Sequence, residues 1–348
     1  MNARAVIYIR IGSFFSSVEA LGRPGTIGSP MVVGSDGDPA GRGTVAGVSP
    51  EADELGIRPG MTLKKARQIC PEALFVPMSL EVYEKASDTL MSLLREFSPM
   101  VESFGLDEAF IEPASGPDQD ASVMAVNMAR EIKAAIRKSL RLTPTVGVGP
   151  NKLMAWLAGA EAPVHAGFFA IHEKETAAFL RTLPVGRLPF VSTDLEKRLL
   201  DLNLKTVGDL SRAHISHLDR YFGKDVAAIL YGQAKGVDEN PVVSFHEKGA
   251  LCKEAAFSQE VKDQHLIRET LYALTEDISA RLRTEGSKAS SFSIKIGYAG
   301  FRTATSSVEF PEPVDSLNDI WKGALKLLDA ELIFAPVRLV GVKLSGLE

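Results

Sequence analysis

The sequence predicts a multidomain α/β protein of the α+β kind, in which two strand-and-helix units flank a helical one. Three observations point there. The chain has 348 residues, more than one ordinary hydrophobic core organises. Its first half alternates β-rich runs with runs of helical apolar spacing. Behind a polar, Pro-bearing stretch at 237–249, the rest of the chain repeats that alternation.

Ala5 to Arg10 (AVIYIR) and Pro30 to Ser35 (PMVVGS) read as strands, and glycines and prolines crowd Gly22 to Gly60. Segments 61–70 and 80–97 carry helical spacing, the second with Leu80, Tyr83, Leu90, Leu93 and Leu94 on one face. A strand leads into Asp107, a turn falls near Pro113, and a long helix covers Ala121 to Leu140. Thr143 to Lys152 reads as strand, turn and helix start. From Phe168 to Gly236 the pattern is helical, with two short helices meeting at Asn203–Leu204. Further on, Leu266, Ile267, Leu271, Leu274, Ile278 and Leu282 mark a helix. Phe292, Ile294, Ile296 and Tyr298 alternate with Ser291, Ser293, Lys295 and Gly297, as a half-buried strand does. Thr305–Phe310, Leu317–Leu328 and Val337–Leu344 complete the unit as strand, helix and strand, which predicts a sheet covered on one face by two helices.

With 45% hydrophobic and 24% charged residues, the composition is that of a globular chain rather than a disordered one. Cys70 and Cys252 have no metal or redox spacing and read as buried thiols of a reducing compartment; the six histidines show no metal spacing either. No apolar run reaches membrane-spanning length and no signal-peptide pattern opens the chain, so the expected location is the cytoplasm. The net charge of −5 gives nucleic-acid binding no support, since phosphate neutralisation supplies much of that affinity.

Five motifs carry a resemblance. Ile9-Arg10-Ile11-Gly12-Ser13-Phe14-Phe15-Ser16-Ser17-Val18-Glu19 stands in register with V-D-M-D-x-F-F-x-S-V-E, and Gly105-Leu106-Asp107-Glu108-Ala109-Phe110 with S-[IL]-D-E-A-[FY]. Val146 to Lys152 matches V-G-[IV]-x-x-N-K. Leu188 to Ser192 and Leu202 to Leu210 match a helix-hairpin-helix, and Tyr298 to Thr303 with Arg338 to Val342 match a carboxy-terminal unit. In that order, over nearly the whole chain, they resemble the Y-family of translesion DNA polymerases, of the bacterial polymerase IV type. The resemblance implies a palm (1–12 and 79–167), fingers (13–78), a thumb (168–236), a linker (237–249) and a little finger (250–348).

Nucleotidyl transfer in such a family uses two Mg²⁺ ions held by several carboxylates. The resemblance places Asp107 and Glu108 in that site, but Arg10 stands where the first metal-binding Asp belongs and Gly12 fills the next acidic slot. A guanidinium is the wrong charge for a cation site and is suited to fork onto the two acids. Among the nucleotide-contacting positions, Phe14 and Phe15 are kept, with Phe15 at the sugar-discriminating aromatic. Pro50 and Asp53 replace a Tyr and an Arg that grip triphosphate, and the Ala162–Gly167 run lacks the family's Lys. No metal or other cofactor is therefore expected, with Mg²⁺ required only if the chain is active.

For DNA contacts the candidates are Lys152, Lys288, Lys295, Arg302 and Thr303. Phe190 and Ser192 replace the thumb glycines whose amides face phosphate, and from Ala250 onward 12 Lys/Arg meet 14 Asp/Glu, so weak, sequence-independent binding is expected. The reading is a catalytically inactive polymerase-like protein of DNA-damage tolerance that binds DNA or a partner. Its rivals are an active low-fidelity polymerase with a rearranged metal site and a protein-interaction module without DNA affinity. The family's usual partners are the sliding clamp and the recombinase on single strands. The chain ends at Gly346-Leu347-Glu348 without a Gln-rich, Leu-Phe clamp-binding tail, so either such a tail is missing or clamp binding is lost.

Overall fold

Strand β1 (Val6–Ile11) sits at the centre of the first unit because both of its faces are apolar. Its pleat sends Ile7, Ile9 and Ile11 into one core and Val6 and Tyr8 into another. The structure, a computed structural model, describes residues 4–114, 120–162, 167–331, 333 and 335–348, with the side chains of Ser258 and Gln259 left aside.

Helix α1 (Phe14–Gly22) leads into a small unit of β2 (Met31–Gly34), β3 (Val45–Val48), α2 (Pro50–Glu54), α3 (Leu63–Ile69) and β4 (Leu74–Pro77), whose sheet runs β3-β2-β4. Strand β3 was not legible: four residues, one of them Gly47, inside a glycine-crowded stretch carry no periodic signal. Helix α4 (Leu80–Arg95) buries Tyr83, Leu90 and Leu94 as its spacing predicts, while Leu80 in its first turn stays 53% exposed.

Strands β5 (Val101–Ser103) and β6 (Glu108–Ile111) are separated by a bend that holds Asp107, so the acid lies between two strands rather than at the end of one. Helix α5 (Ala121–Leu140), capped by Asp120, follows, then β7 (Pro144–Gly149), α6 (Lys152–Ala160) and β8 (Phe168–Ala170). Phe168–Ala170, read from sequence as the start of a helical region, instead pairs parallel to β7. The five-stranded sheet is ordered β5-β6-β1-β7-β8. Helix α6 lies so close to β7 that a Cβ on Gly147 would fall 2.0 Å from the Ala155 carbonyl oxygen.

The middle of the chain is helical: α7 (Thr176–Arg181), α8 (Thr193–Asp201), α9 (Val207–Arg212), α10 (Ile215–Phe222) and α11 (Lys224–Ala234). As expected, α8 and α9 flank Asn203–Leu204, and a Thr206–Asp209 capping box starts α9.

The last unit contains β9 (Leu251–Val261), α12 (Gln264–Thr284), β10 (Ala289–Tyr298), β11 (Thr303–Val314), α13 (Leu317–Ala330) and β12 (Val337–Leu347). Its antiparallel sheet runs β11-β10-β12-β9, and both helices pack on the face formed by Phe292, Ile294, Ile296 and Tyr298. Strand β10 departs from the half-buried expectation: Ser293 and Lys295, on its other face, are buried too. That face lies against the first unit, where Phe301, beyond the end of β10, inserts among Phe104, Phe110 and Trp156 at centroid distances of 5.2, 5.1 and 5.9 Å. No helix among the described residues is long and apolar enough to cross a membrane.

Candidate functional site

Antiparallel pairing of β1 with β6 sets Arg10 directly opposite Glu108 and Tyr8 opposite Phe110, so each pair shares a face of the sheet. Arg10 Nε lies 3.5 Å from Glu108 Oε1, with Arg10 56% exposed and Glu108 buried. From the last unit, β12 brings Arg338, whose Nη2 donates to Glu108 Oε2 at 3.0 Å. The Arg338 guanidinium also lies 4.5 Å over the Phe104 ring. Burial works against the Arg10 cation, but Tyr8, Glu108 and Asp107 outweigh it and raise its pKa. Burial, followed by the neighbouring Glu108 charge, pushes the Asp107 carboxyl up to about 6, against the pull of Arg10 and Arg338.

These donors do not fit a pair of hard divalent ions, which need oxygens from several carboxylates. Asp107 and Glu108 are the acids at the paired ends of β1 and β6, Glu260 lies near Arg338, and each oxygen of Glu108 faces a guanidinium. Among the described residues no group of three or more His, Cys, Asp or Glu side chains is arranged to hold a metal ion.

The expected nucleotide-contacting residues are differently placed. Phe14 is buried in the core, whereas Phe15 is half-buried, edge-on to Tyr83 at 4.7 Å and packed so tightly on Gly47 that a Cβ there would lie 2.8 Å from its ring. Pro50 opens α2 behind the capping Ser49. Asp53 is exposed, but Arg58 Nη1 lies 2.9 Å from its carboxylate, so the acid's repulsion of phosphate is offset by a cation that sequence reasoning missed. Residues 163–166 of the Lys-less Ala162–Gly167 run lie outside the described residues.

Two of the five proposed DNA contacts, Lys152 and Lys295, are corrected by burial, and Thr303 is engaged internally. Lys152 is fully buried and ion-paired with Glu102, itself 1% exposed, and also donates to the Phe301 carbonyl at 3.3 Å. Lys295 is 1% exposed, donating to Glu254 at 2.7 Å and to the Ser103 carbonyl at 3.1 Å. The Thr303 hydroxyl donates to Glu102 Oε1 at 2.5 Å. All three hold the last unit to the first; Lys152 and Lys295 are buried away from any external phosphate, while Thr303 is half-buried. Lys288 and Arg302 are exposed, the latter 5.9 Å over the Tyr298 ring. They flank opposite ends of β10, about 30 Å apart at strand rise, and form no common edge. Sequence reasoning missed Glu102, Arg58 and the role of Arg338. Only Arg338 had a signal, its place in the Arg338–Val342 motif.

Residues 9–160 match the impB/mucB/samB family, residues 249–348 the carboxy-terminal domain of that family, and residues 186–238 the thumb domain described for DNA polymerase-iota. The sequence is 35% identical over 348 residues to a DNA polymerase IV of Alkalilimnicola ehrlichii, covering all of this chain and 96% of that one. It is 31% identical to a DNA polymerase IV of Methanoculleus marisnigri, covering all of this chain and 95% of the relative. Among solved structures, DinB from Sulfolobus solfataricus superposes with a TM-score of 0.69 at 26% identity, and an insertion ternary complex of Dbh DNA polymerase with a TM-score of 0.70 at 26% identity. Each of these covers 98% of both chains.

Proposed function

Because the chain belongs to the Y-family of DNA polymerases, with DinB-like relatives named DNA polymerase IV, we propose that it keeps the polymerase scaffold for translesion DNA handling but not the two-metal reaction. On this reading the strand-and-helix units serve as palm, fingers and little finger, the helical middle as thumb, and the chain acts as a DNA- or partner-binding accessory in the cytoplasm. One observation carries the reading: Arg10 stands at the first metal-ligand position and, with Arg338, brackets the remaining Glu108. Replacing a metal-binding carboxylate by a cation removes several kcal/mol of transition-state stabilisation, on the order of what an electrostatic catalytic group supplies. DNA is the proposed ligand because the structural neighbours include polymerase ternary and binary complexes. The sliding clamp and the recombinase are partner candidates on the family resemblance alone.

The relatives' name supports a second reading, an active polymerase that uses Mg²⁺. Primer extension on undamaged and damaged templates with Mg²⁺ or Mn²⁺ separates the two. The accessory reading expects no incorporation above background, and template-directed extension by the wild-type protein would establish the active one.

A further inference from the structure

We propose that the former metal centre binds a phosphate of a DNA strand directly, with Arg10 and Arg338 in the place of divalent ions. The inference rests on the accessory reading and goes one step past it, to a ligand at that site.

The two guanidiniums reach the same carboxylate from different units, Arg10 from β1 and Arg338 from β12, one at each oxygen of Glu108. Their binding capacity is largely unused. A guanidinium carries five N–H donors. Among the described residues Arg338 places one on Glu108, while Arg10 faces the same acid at 3.5 Å as an ion pair without a hydrogen bond. Arg10 is more than half exposed, so its side chain has room to turn toward a ligand. Next along the chain, exposed Gly12 stands where the family carries a second acid, and a Cβ built there meets nothing within 4 Å. Position 12 therefore presents neither a side chain nor a carboxylate to an approaching strand.

The charge balance agrees. Arg10 and Arg338 offset Asp107 and Glu108, with Glu260 a further acid near Arg338, whereas a site of three carboxylates and no cation repels phosphate until metals enter. Paired guanidiniums are the side chains best matched to phosphate oxygens, through parallel charge-assisted hydrogen bonds. Glu108 then serves as an internal occupant that a phosphate displaces. The ligand is either a backbone diester or a strand-terminal monoester, two sources of one chemistry.

The test is fluorescence-anisotropy titration in EDTA, over a salt series, of primer–template duplexes whose recessed 3′ end carries either a hydroxyl or a phosphate. Wild-type protein should bind without metal, and a preference for the 3′-phosphate would identify the monoester as the source. Arg10→Gln combined with Arg338→Gln should lower affinity roughly tenfold, what one lost charge-assisted contact implies. The slope of log affinity against log salt should become shallower by about 0.9 for one phosphate released. Arg10→Lys with Arg338→Lys, which keeps the charge, should retain most of the affinity. Glu108→Gln should raise it severalfold by freeing both guanidiniums, a gain that a purely structural ion pair does not predict.

Unchanged affinity and slope in the Gln double variant, no gain in Glu108→Gln, or binding that requires Mg²⁺ would each overturn the inference while leaving the accessory reading standing. Primer extension by wild-type protein overturns that reading instead. Absence of wild-type DNA binding at low salt overturns the inference and leaves only protein partners.

Discussion

Glu102 offers the sharpest test of how the last unit is held to the first. Its carboxylate is 1% exposed and ion-paired with fully buried Lys152. It accepts from the Thr303 hydroxyl at 2.5 Å and from the Val243 amide at 2.8 Å. One carboxylate of β5 thus gathers α6, the 237–249 stretch and β11. Glu102→Gln keeps the shape, removes the charge and presents an amide N–H₂ to a set of donors. It leaves Lys152 as a buried cation without its ion-pair partner, with only the further Asp238 to offset the charge, a loss of about 3–5 kcal/mol. Removing both charges, with Glu102→Gln and Lys152→Met together, should recover much of that loss and give a coupling energy of about 1–3 kcal/mol. The pH dependence has a definite sign. Burial already lowers the Lys152 pKa from its ordinary 10.5, against the opposing pull of Glu102. A lysine whose folded pKa lies below its unfolded one destabilises fully below the folded value, and the penalty fades as pH rises toward 10.5. Without Glu102 the folded value falls further, so the deficit of Glu102→Gln should shrink between neutral pH and about 10. Urea unfolding followed by Trp156 fluorescence reads the junction, because that ring lies 5.9 Å from Phe301 and Trp321→Phe silences the other tryptophan of the chain. Single-variant losses below about 1 kcal/mol with additive double-variant behaviour would mean that the pair behaves as a solvated surface bridge, and would refute the argument.

Other outcomes follow from the same geometry. Arg10→Asp alone should not restore primer extension if, as the family resemblance implies, Pro50 and the Lys-less Ala162–Gly167 run stand where triphosphate contacts are made; efficient extension by this variant would show those positions to be misread. Lys295→Met should destabilise the protein by roughly 1–3 kcal/mol, as expected for a buried group left without its partner. It should leave the salt dependence of DNA binding unchanged, and a shallower salt slope would return Lys295 to the DNA-contacting surface. The Asp107 carboxyl, pushed up to about 6, should titrate near that value by carboxyl-carbon NMR and higher still in Arg10→Gln, where an opposing cation is lost. Because its folded pKa is raised, its contribution to stability declines as pH rises from about 4 to about 6 and recovers on acidification; titration near 3.8 in the wild type would contradict the burial argument.

Much of this molecule is written locally. Helical spacing alone locates α4, α5, α12 and α13, since each buries one stripe of its own residues. The order of the motifs places Asp107 and Glu108 with Arg10, and strand pairing then requires that Arg10 and Glu108 share a face. Local patterns report only one neighbour per face, and there the reading of sequence ends. Lys295 looks like the solvent side of an alternating strand, yet that side is the floor of a second interface. Lys152 looks like an exposed helix start, yet its partners are Glu102 and a carbonyl 149 residues away. Arg338 reaches Glu108 across 230 positions of chain. What the sequence by itself determined was the longer periodic helices, several of the strands, the order of the units and the inversion of charge at the end of β1, because those depend on residue type and short-range period; the short strands β3 and β8 carry too little period to be read. Which cations are buried in structural pairs and which remain to meet a ligand was decided only when the last unit docked on the first. Burial and pairing there arise between residues that no local period relates.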